Sequence, residues 1–353
     1  RYIVKRLGLV LLVGIIISII MFSLYQLIPG GELAQVNAMV DQSLRSKDPE
    51  AYRQQMQAAQ DAVGIGQGTA IKYLKWLRNL VTGNVGNTLV TNMPMLQAIK
   101  APMKNTIRMN LLNMVFVFLI TFPLGIYTAV RKYSKFDNAV QVFTSIGMSL
   151  PSFFIALISI LVFASFLKLL PTTGAGSADI IREQMTPFGR FLDTIKYLIL
   201  PVFVLTISSL AGITRYIRGA MIDVLSQDFI RTARSKGLKE KVVIYSHAFR
   251  NAMIPVVTIL TGWLLGIFGG STITETIFAY PGMGRTLYAA LQASDFAFVM
   301  LLNVFYTVLG LLGNLLYKYK DNKEILDYYD FNYGVISKIN EGSTFYFEIP
   351  IVE

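Results

Sequence analysis

Apolar residues in this chain gather in long uninterrupted runs, separated by shorter stretches where the charges collect. Six windows, residues 7–28, 109–130, 139–167, 197–214, 251–274 and 296–317, contain no charged side chain. A helix rises about 1.5 Å per residue, so about 20 apolar residues cross a hydrocarbon layer of about 30 Å. Lipid cannot satisfy free backbone N–H and C=O groups, so each window predicts a helix; the windows are too long for barrel strands of about 9–11 residues. The 197–214 window has only 18 residues and is expected to extend into its flanks. The first window follows Arg1, Lys5 and Arg6, as a signal peptide would. It exceeds the usual apolar length and no Ala-x-Ala site follows, so it reads as a retained span. The expectation is an all-α polytopic membrane protein with six transmembrane helices.

Basic residues order these spans. They cluster in 1–6, in 131–135, in 215–250 and at Lys318 and Lys320. These segments alternate with the remaining loops, which places them and both termini in the cytoplasm by the positive-inside rule. Residues 29–108 then form a long external segment. Within it, 48–63 reads as a helix with Asp48 as cap ahead of Pro49, and "GIGQG" (64–68) breaks it. Residues 70–80 read as an amphipathic helix with Ile71, Leu74, Leu77 and Leu80 on one side. Pro123, Pro151, Pro201 and Pro255 are expected to bend or interrupt their helices.

Composition agrees: the 353 residues are 54% hydrophobic and 15% charged, where soluble domains carry about 25% charge. The net charge of +11 follows from the basic loops, and no basic stripe interleaved with aromatics points to nucleic acid. The absence of cysteine and the single histidine, His247, exclude thiol chemistry, disulfides and a histidine-rich metal site. There is no GxxxxGK[ST], HExxH or GxSxG motif. The spans also lack the acidic groups that proton relays use. No catalytic or metal-binding residue is assigned, and uphill transport would draw its energy from a partner.

The segment "DFIRTARSKGLKEKVVIYSHAFRNAMIP" (228–255) is polar and basic between two spans. Asp228 is placed to cap a short helix, Gly237 to end it in a left-handed turn, and Lys239 to begin a return to the membrane. Ala233 and Gly237, four apart, share a small-residue face open to another protein. Arg231 and Arg234 offer hydrogen bonds to a partner's carboxylates or carbonyls.

This segment resembles the cytoplasmic EAA-type loop of binding-protein-dependent ABC importer permeases. Ala233, Gly237, His247, Asn251 and Pro255 match its pattern, with Thr232 in place of the leading glutamate. "YLKWLRNLVTGNVGNTL" (73–89), "KNTIRMNLL" (104–112), "GMSLPSFFIALI" (147–158), "LLPTTGAG" (169–176), "YLILPVFVLTI" (197–207) and "ETIFAYPGMGRTLYAAL" (275–291) are similar to the first membrane subunit of the dipeptide/oligopeptide branch. The family's proline-glycine-aspartate-proline after the first span is here "IPGGELAQ".

The resemblance implies a type I ABC importer permease fold over 1–317 and a multi-pass location in the inner or plasma membrane of a prokaryote. It implies a second permease subunit as heterodimer partner, one or two P-loop ATPases and an external solute-binding protein. ATP and magnesium are then bound by those ATPases, with no cofactor on this chain. The coupling set is Asp228, Phe229, Arg231, Thr232, Ala233, Arg234, Lys236, Gly237 and Leu238, and His247, Asn251 and Pro255 form the return. Alternating access for short peptides is the leading function. Nickel, glutathione or another small solute is the alternative cargo, and ion-coupled transport the alternative class.

Two further groups stand out. Gly262, Gly266 and Gly270 recur every fourth residue and are expected to serve close helix packing. "TETIFAYPGMGR" (274–285) makes a tight external turn at Tyr280, Pro281, Gly282 and Gly284, with Glu275 and Phe278 as gate or binding-protein contacts. Beyond 317 the composition changes. The tail 318–353 departs from the family, and "EGSTFYFEIPI" (341–351) resembles the last strand of sensor-kinase ATP-binding domains; alternation of Thr344, Tyr346 and Glu348 with Phe345, Phe347 and Ile349 predicts an edge strand. The tail reads as a fusion, frameshift or assembly scar.

Overall fold

A computed structural model describes residues 2–28, 30–328, 333–338 and 342–347. Side-chain surroundings are described outside residues 2–7, 34, 257–262, 264–265 and 313–353. The main helices are α1 (Tyr2–Gln26), α2 (Gly31–Met39), α3 (Pro49–Val63), α4 (Thr69–Thr82), α5 (Lys100–Val130), α6 (Lys135–Ser149) and α7 (Ser152–Ser159). They continue as α8 (Pro187–Leu225), α9 (Asp228–Ser235), α10 (Arg250–Gly266), α11 (Thr272–Ile277), α12 (Met283–Gln292) and α13 (Phe296–Tyr328).

Among the described residues three helical segments, Gly8–Gln26, Met95–Val130 and Pro187–Leu225, are long and apolar enough to cross a membrane. A fourth span arises if α6 and the helix Ser152–Phe166 count as one. The 139–167 window is therefore not a straight span. Its two halves bend by 98° at Leu150 and Pro151, where the proline ring disfavours helical geometry in the residue before it. Pro123, Pro201 and Pro255 instead lie inside continuous helices. The short fourth window does extend at both ends, into the 39 residues of α8. The fifth is shorter than expected, since α10 stops at Gly266 and α11 is a separate helix.

α5 and α8 form the central pair. A Cβ at Gly125 would meet Ile217 Cγ2 at 2.6 Å, so glycine sets how closely these helices cross. Arg218 and Asp137 tie α6 to α8 through two 2.7 Å hydrogen bonds. The Asp137 side chain is 1% exposed, and the Arg218 guanidinium holds its carboxyl below the usual range.

The segment before α5 is folded as expected in part. Asp48 Oδ1 caps α3 by accepting from Ala51 N, and Gly64 ends it at φ 84°. α4 packs Tyr73 and Trp76 on Phe22 of α1, each at 5.6 Å between ring centres. Its predicted apolar side is covered only in part: Leu80 packs against a buried cluster, while Ile71 and Leu74 remain exposed. In the tail, Tyr333–Lys338 and Gly342–Phe347 pair as antiparallel strands β1 and β2. The expected edge-strand positions Thr344 to Phe347 lie in β2, while Glu348 and Ile349 fall outside the described residues.

Candidate functional site

Two sites occupy opposite ends of the α5–α8 pair. At one end α9 lies between α8 and the return to α10. Ile230 and Ala233 are buried with Ile126 and Ala129 of α5, Ile217 and Met221 of α8, Val243 and Ala248 of the return, and Ala252 and Val256 of α10. Ala233 therefore does not share an open face with Gly237. It faces this chain's own core because residues 230 and 233 stand one turn apart on the inner side of a two-turn helix. Gly237 does turn left-handed, at φ 76°, and nothing lies within 4 Å of where its Cβ would be.

The outer side of α9 is polar with apolar ends. Phe229 and Leu238 are exposed, and Thr232 and Lys236 are exposed with them. Asp228 is not the cap. Gln227 holds that position without a side-chain bond, and Asp228 Oδ1 accepts from Arg231 Nη1 at 3.3 Å. Arg234 is turned inward along the chain. Its guanidinium grips Glu240 with bonds of 3.2 and 2.7 Å, closing the Gly237 turn like a staple and lowering the carboxyl pKa. Residues 243–249 wind as a π-helix, a form that recurs at functional sites. His247 lies within it, and its carbonyl accepts from Asn251 Nδ2 at 2.6 Å. Pro255 stands one turn further, its carbonyl accepting from Tyr216 at 3.4 Å.

About 20 residues earlier along α5, or about 30 Å away, lies the second site. Glu275 is fully buried. Its Oε1 accepts from Thr106 Oγ1 at 2.8 Å and its Oε2 from Arg285 N at 3.0 Å. Thr106 Oγ1 accepts in turn from Met283 N at 2.8 Å. The first amides of α12 thus converge on a carboxylate, as helix N-termini favour. Burial still dominates and pushes the Glu275 pKa up, against the lowering by these hydrogen bonds.

Glycines create the space for this latch. A Cβ at Gly282 would lie 2.4 Å from the Glu275 carboxyl carbon, and one at Gly284 would lie 2.6 Å from Thr272 N. A Cβ at Gly270 would meet Gly284 N at 2.1 Å. Gly270 therefore serves the latch and not a glycine stripe on α10, whose last residue is Gly266. Gly266 itself has nothing within 4 Å of its Cβ position, and the surroundings of Gly262 lie outside those described.

Phe278 and Tyr280 are also buried. The Phe278 carbonyl accepts from Gly174 N at 2.8 Å, and Tyr280 Oη donates to the Asn105 carbonyl at 3.1 Å. Burial pushes the Tyr280 phenol up to about 12. In this conformation Glu275, Phe278 and Tyr280 cannot touch a docked protein, because the chain itself covers them. Pro281 and Arg285 are the exposed members of this turn.

Sequence reasoning missed a third anchor. Asp295 is fully buried, and its Oδ2 accepts from Thr88 Oγ1 and from Leu89 N, both at 2.6 Å. It ties the 29–108 segment to the start of α13. The available signal was an aspartate directly ahead of the last apolar window. Among the described residues no group of histidine, cysteine, aspartate and glutamate is placed to hold a metal ion.

Residues 121–324 match the family described as "Binding-protein-dependent transport system inner membrane component". The oligopeptide transport system permease protein AppB of Bacillus subtilis is 35% identical over 89% of this chain and 95% of its own length. The dipeptide transport system permease protein DppB of Escherichia coli K12 is 30% identical over 90% and 96%. A chain of the MetNI methionine ABC transporter, inward facing, superposes with a TM-score of 0.48 at 16% identity, over 64% of this chain and 97% of that one. A chain with several membrane-length helices, matched by the family over more than half its length and by these permeases over almost all of it, belongs to the inner membrane components of binding-protein-dependent transport systems.

Proposed function

We propose that this chain is the peptide-conducting permease of an ATP-driven importer, coupled to its ATPases through α9. The supporting observation is the split character of that helix. Ile230 and Ala233 anchor it to α5, α8 and α10, while Phe229 and Leu238 stand exposed as apolar contacts beside Arg231, Thr232 and Lys236. A helix held by the spans on one side and open on the other transmits a push from a docked ATPase. ATP and magnesium would bind to that partner. Short peptides are the favoured cargo because AppB and DppB carry oligopeptide and dipeptide transport in their names.

The 274–285 turn acts here as the gate at the opposite end, with the Glu275 carboxylate as its internal latch. The 29–108 segment, Pro281 and Arg285 would face the solute-binding protein. In this reading both termini and α9 are cytoplasmic, residues 1–317 form the permease domain, and a second permease subunit completes the path. The tail 318–353 is then a fusion, frameshift or assembly scar, which transcript sequencing through codon 318 tests.

The test of coupling uses Phe229→Glu, an exposed position where a charge leaves the fold intact. Co-expressed P-loop subunits should purify with the native chain and be lost with the variant, and uptake of labelled dipeptide should fall in parallel. Retention of the ATPases and undiminished uptake in Phe229→Glu would remove α9 from the coupling role.

A further inference from the structure

A groove between α5 and α8 combines an apolar channel with a basic mouth, at the end of the pair opposite α9. The channel, of about 320 Å³, is walled by Leu112, Phe116 and Ile120 of α5 and by Ile199, Val202 and Phe203 of α8. A mouth of about 510 Å³ shares Leu112, Ile195 and Leu198 with it and carries Arg108, Arg182 and Arg190. The three guanidinium groups are not equivalent. Arg182 pairs with Asp193 at 3.7 Å and donates to Thr194 at 3.1 Å. Among the described residues the Arg190 guanidinium donates only to the carbonyls of Arg182 and Glu183, so its charge is not compensated by a carboxylate there. Arg108 is exposed and makes no hydrogen bond or ion pair among the described residues. Among the described residues no acidic side chain lines the mouth.

We propose that this groove binds an anionic phospholipid, its phosphate between Arg108 and Arg190 and one acyl chain along Leu112, Phe116 and Phe203. Length supports the fit. From Ile195 to Thr206 the helix rises about 16 Å, close to one leaflet of a hydrocarbon layer of about 30 Å. Charge supports it too. Two unneutralised arginines over an apolar channel complement a molecule with a negative head and an apolar tail. A transmembrane helix of another subunit would fill the channel but leave these charges facing apolar side chains or lipid. The bound lipid would wedge α5 against α8, the pair that joins both functional ends. This inference does not depend on the cargo of the importer, so lipid binding and peptide uptake fail separately.

The experiment uses the full complex reconstituted in phosphatidylcholine vesicles doped with photoactivatable phosphatidylglycerol, with labelled residues mapped by mass spectrometry. Label is expected at Phe116, Ile199 or Phe203. Arg108→Gln with Arg190→Gln should lower it about 30-fold, since each surface cation contributes to anionic-lipid binding. Arg108→Gln alone, which breaks no internal bond, should lower it about fivefold. Ile199→Trp should block the channel while leaving the mouth intact. The proposal is overturned if photoactivatable phosphatidylcholine labels the groove equally, or if the arginine variants label like the native chain. It is also overturned if added dipeptide displaces the label, which would give the groove to the cargo, or if no label enters it in the assembled complex.

Discussion

Ala233→Leu separates the two roles that a small residue in α9 can have. In the structure Ala233 is 6% exposed, within a cluster drawn from α5, α8, the π-helical return and α10. Leucine adds three carbons to a buried site within that cluster. Overpacking of this kind costs about 1–3 kcal/mol. Because α9 is a two-turn helix attached mainly through Ile230 and Ala233, that cost falls on its docking rather than on the whole chain. Hydrogen exchange of the α9 amides should then accelerate by a factor of about 5 to 150, as 1.4 kcal/mol is tenfold. The assay uses the lone chain in detergent, with no ATPase present, and Thr232→Ala on the exposed side as a control expected to change little. Were Ala233 instead a contact for the partner, the leucine would leave exchange in the lone chain unaltered and disturb only the assembled complex. That result would refute the placement of α9 on its inner face.

Other positions give separate checks. Gly237→Ala should destabilise the α9 turn by about 1–2 kcal/mol through its left-handed backbone and not through contacts; Gly237→Asn should be milder, both read by thermal unfolding. Arg218→Ala leaves the Asp137 carboxylate buried and unpaired and should cost about 3–5 kcal/mol, with partial recovery in the Asp137→Asn double variant. Asp137 is held below its ordinary value, so its contribution is fully present above the unfolded value of about 3.9. That contribution is lost as pH falls through the depressed one, and a chain insensitive to acid in this range would contradict it. Gly282→Ala drives a methyl into the Glu275 carboxyl and should abolish dipeptide uptake while the ATPases still co-purify.

The sequence makes the membrane character legible because lipid imposes a long apolar run on any spanning helix. α1 and α8 lie where their windows predict them. What it conceals is where a run stops being one straight helix. The 139–167 window is uniformly apolar, yet Pro151 breaks it by 98°, and nothing in its hydrophobicity distinguishes Pro151 from Pro123 inside the unbroken α5. The α9 segment was legible as a helix ended by Gly237, since a left-handed stop has a residue signature. The side on which Ala233 faces was not, because a small residue suits both a tight core and an open contact. The same ambiguity holds for Gly270, which accommodates the backbone of Gly284 and not a neighbouring span. Burial of Glu275 was invisible for another reason. Its hydrogen-bond donors include Thr106 and the backbone amides of Gly284 and Arg285, and backbone donors leave no mark in residue identity.

The two ends of the molecule are joined by the same pair of helices, and this constrains how one can act on the other. α5 offers Thr106 to the Glu275 latch and Ile126 and Ala129 to the seat of α9. α8 contributes Leu198 and Val202 to the core that buries Phe278 and Tyr280, and Ile217 and Met221 to the same seat. Gly125 holds α5 and α8 in close contact near the α9 end, so relative motion there is small unless the helices tilt together. If α9 takes the push of an ATPase as proposed, that push would reach the far end as a tilt about this contact, not as a slide. The latch is suited to answer a tilt. Its bond from Thr106 belongs to α5, whereas its bond from the Arg285 amide belongs to α12. Drawing α5 away would strip one donor from a buried carboxylate, and each lost charge-assisted hydrogen bond costs about 1.5–3 kcal/mol. If this turn is the gate as proposed, it would have a latched state with Thr106 engaged and an open one with Glu275 released.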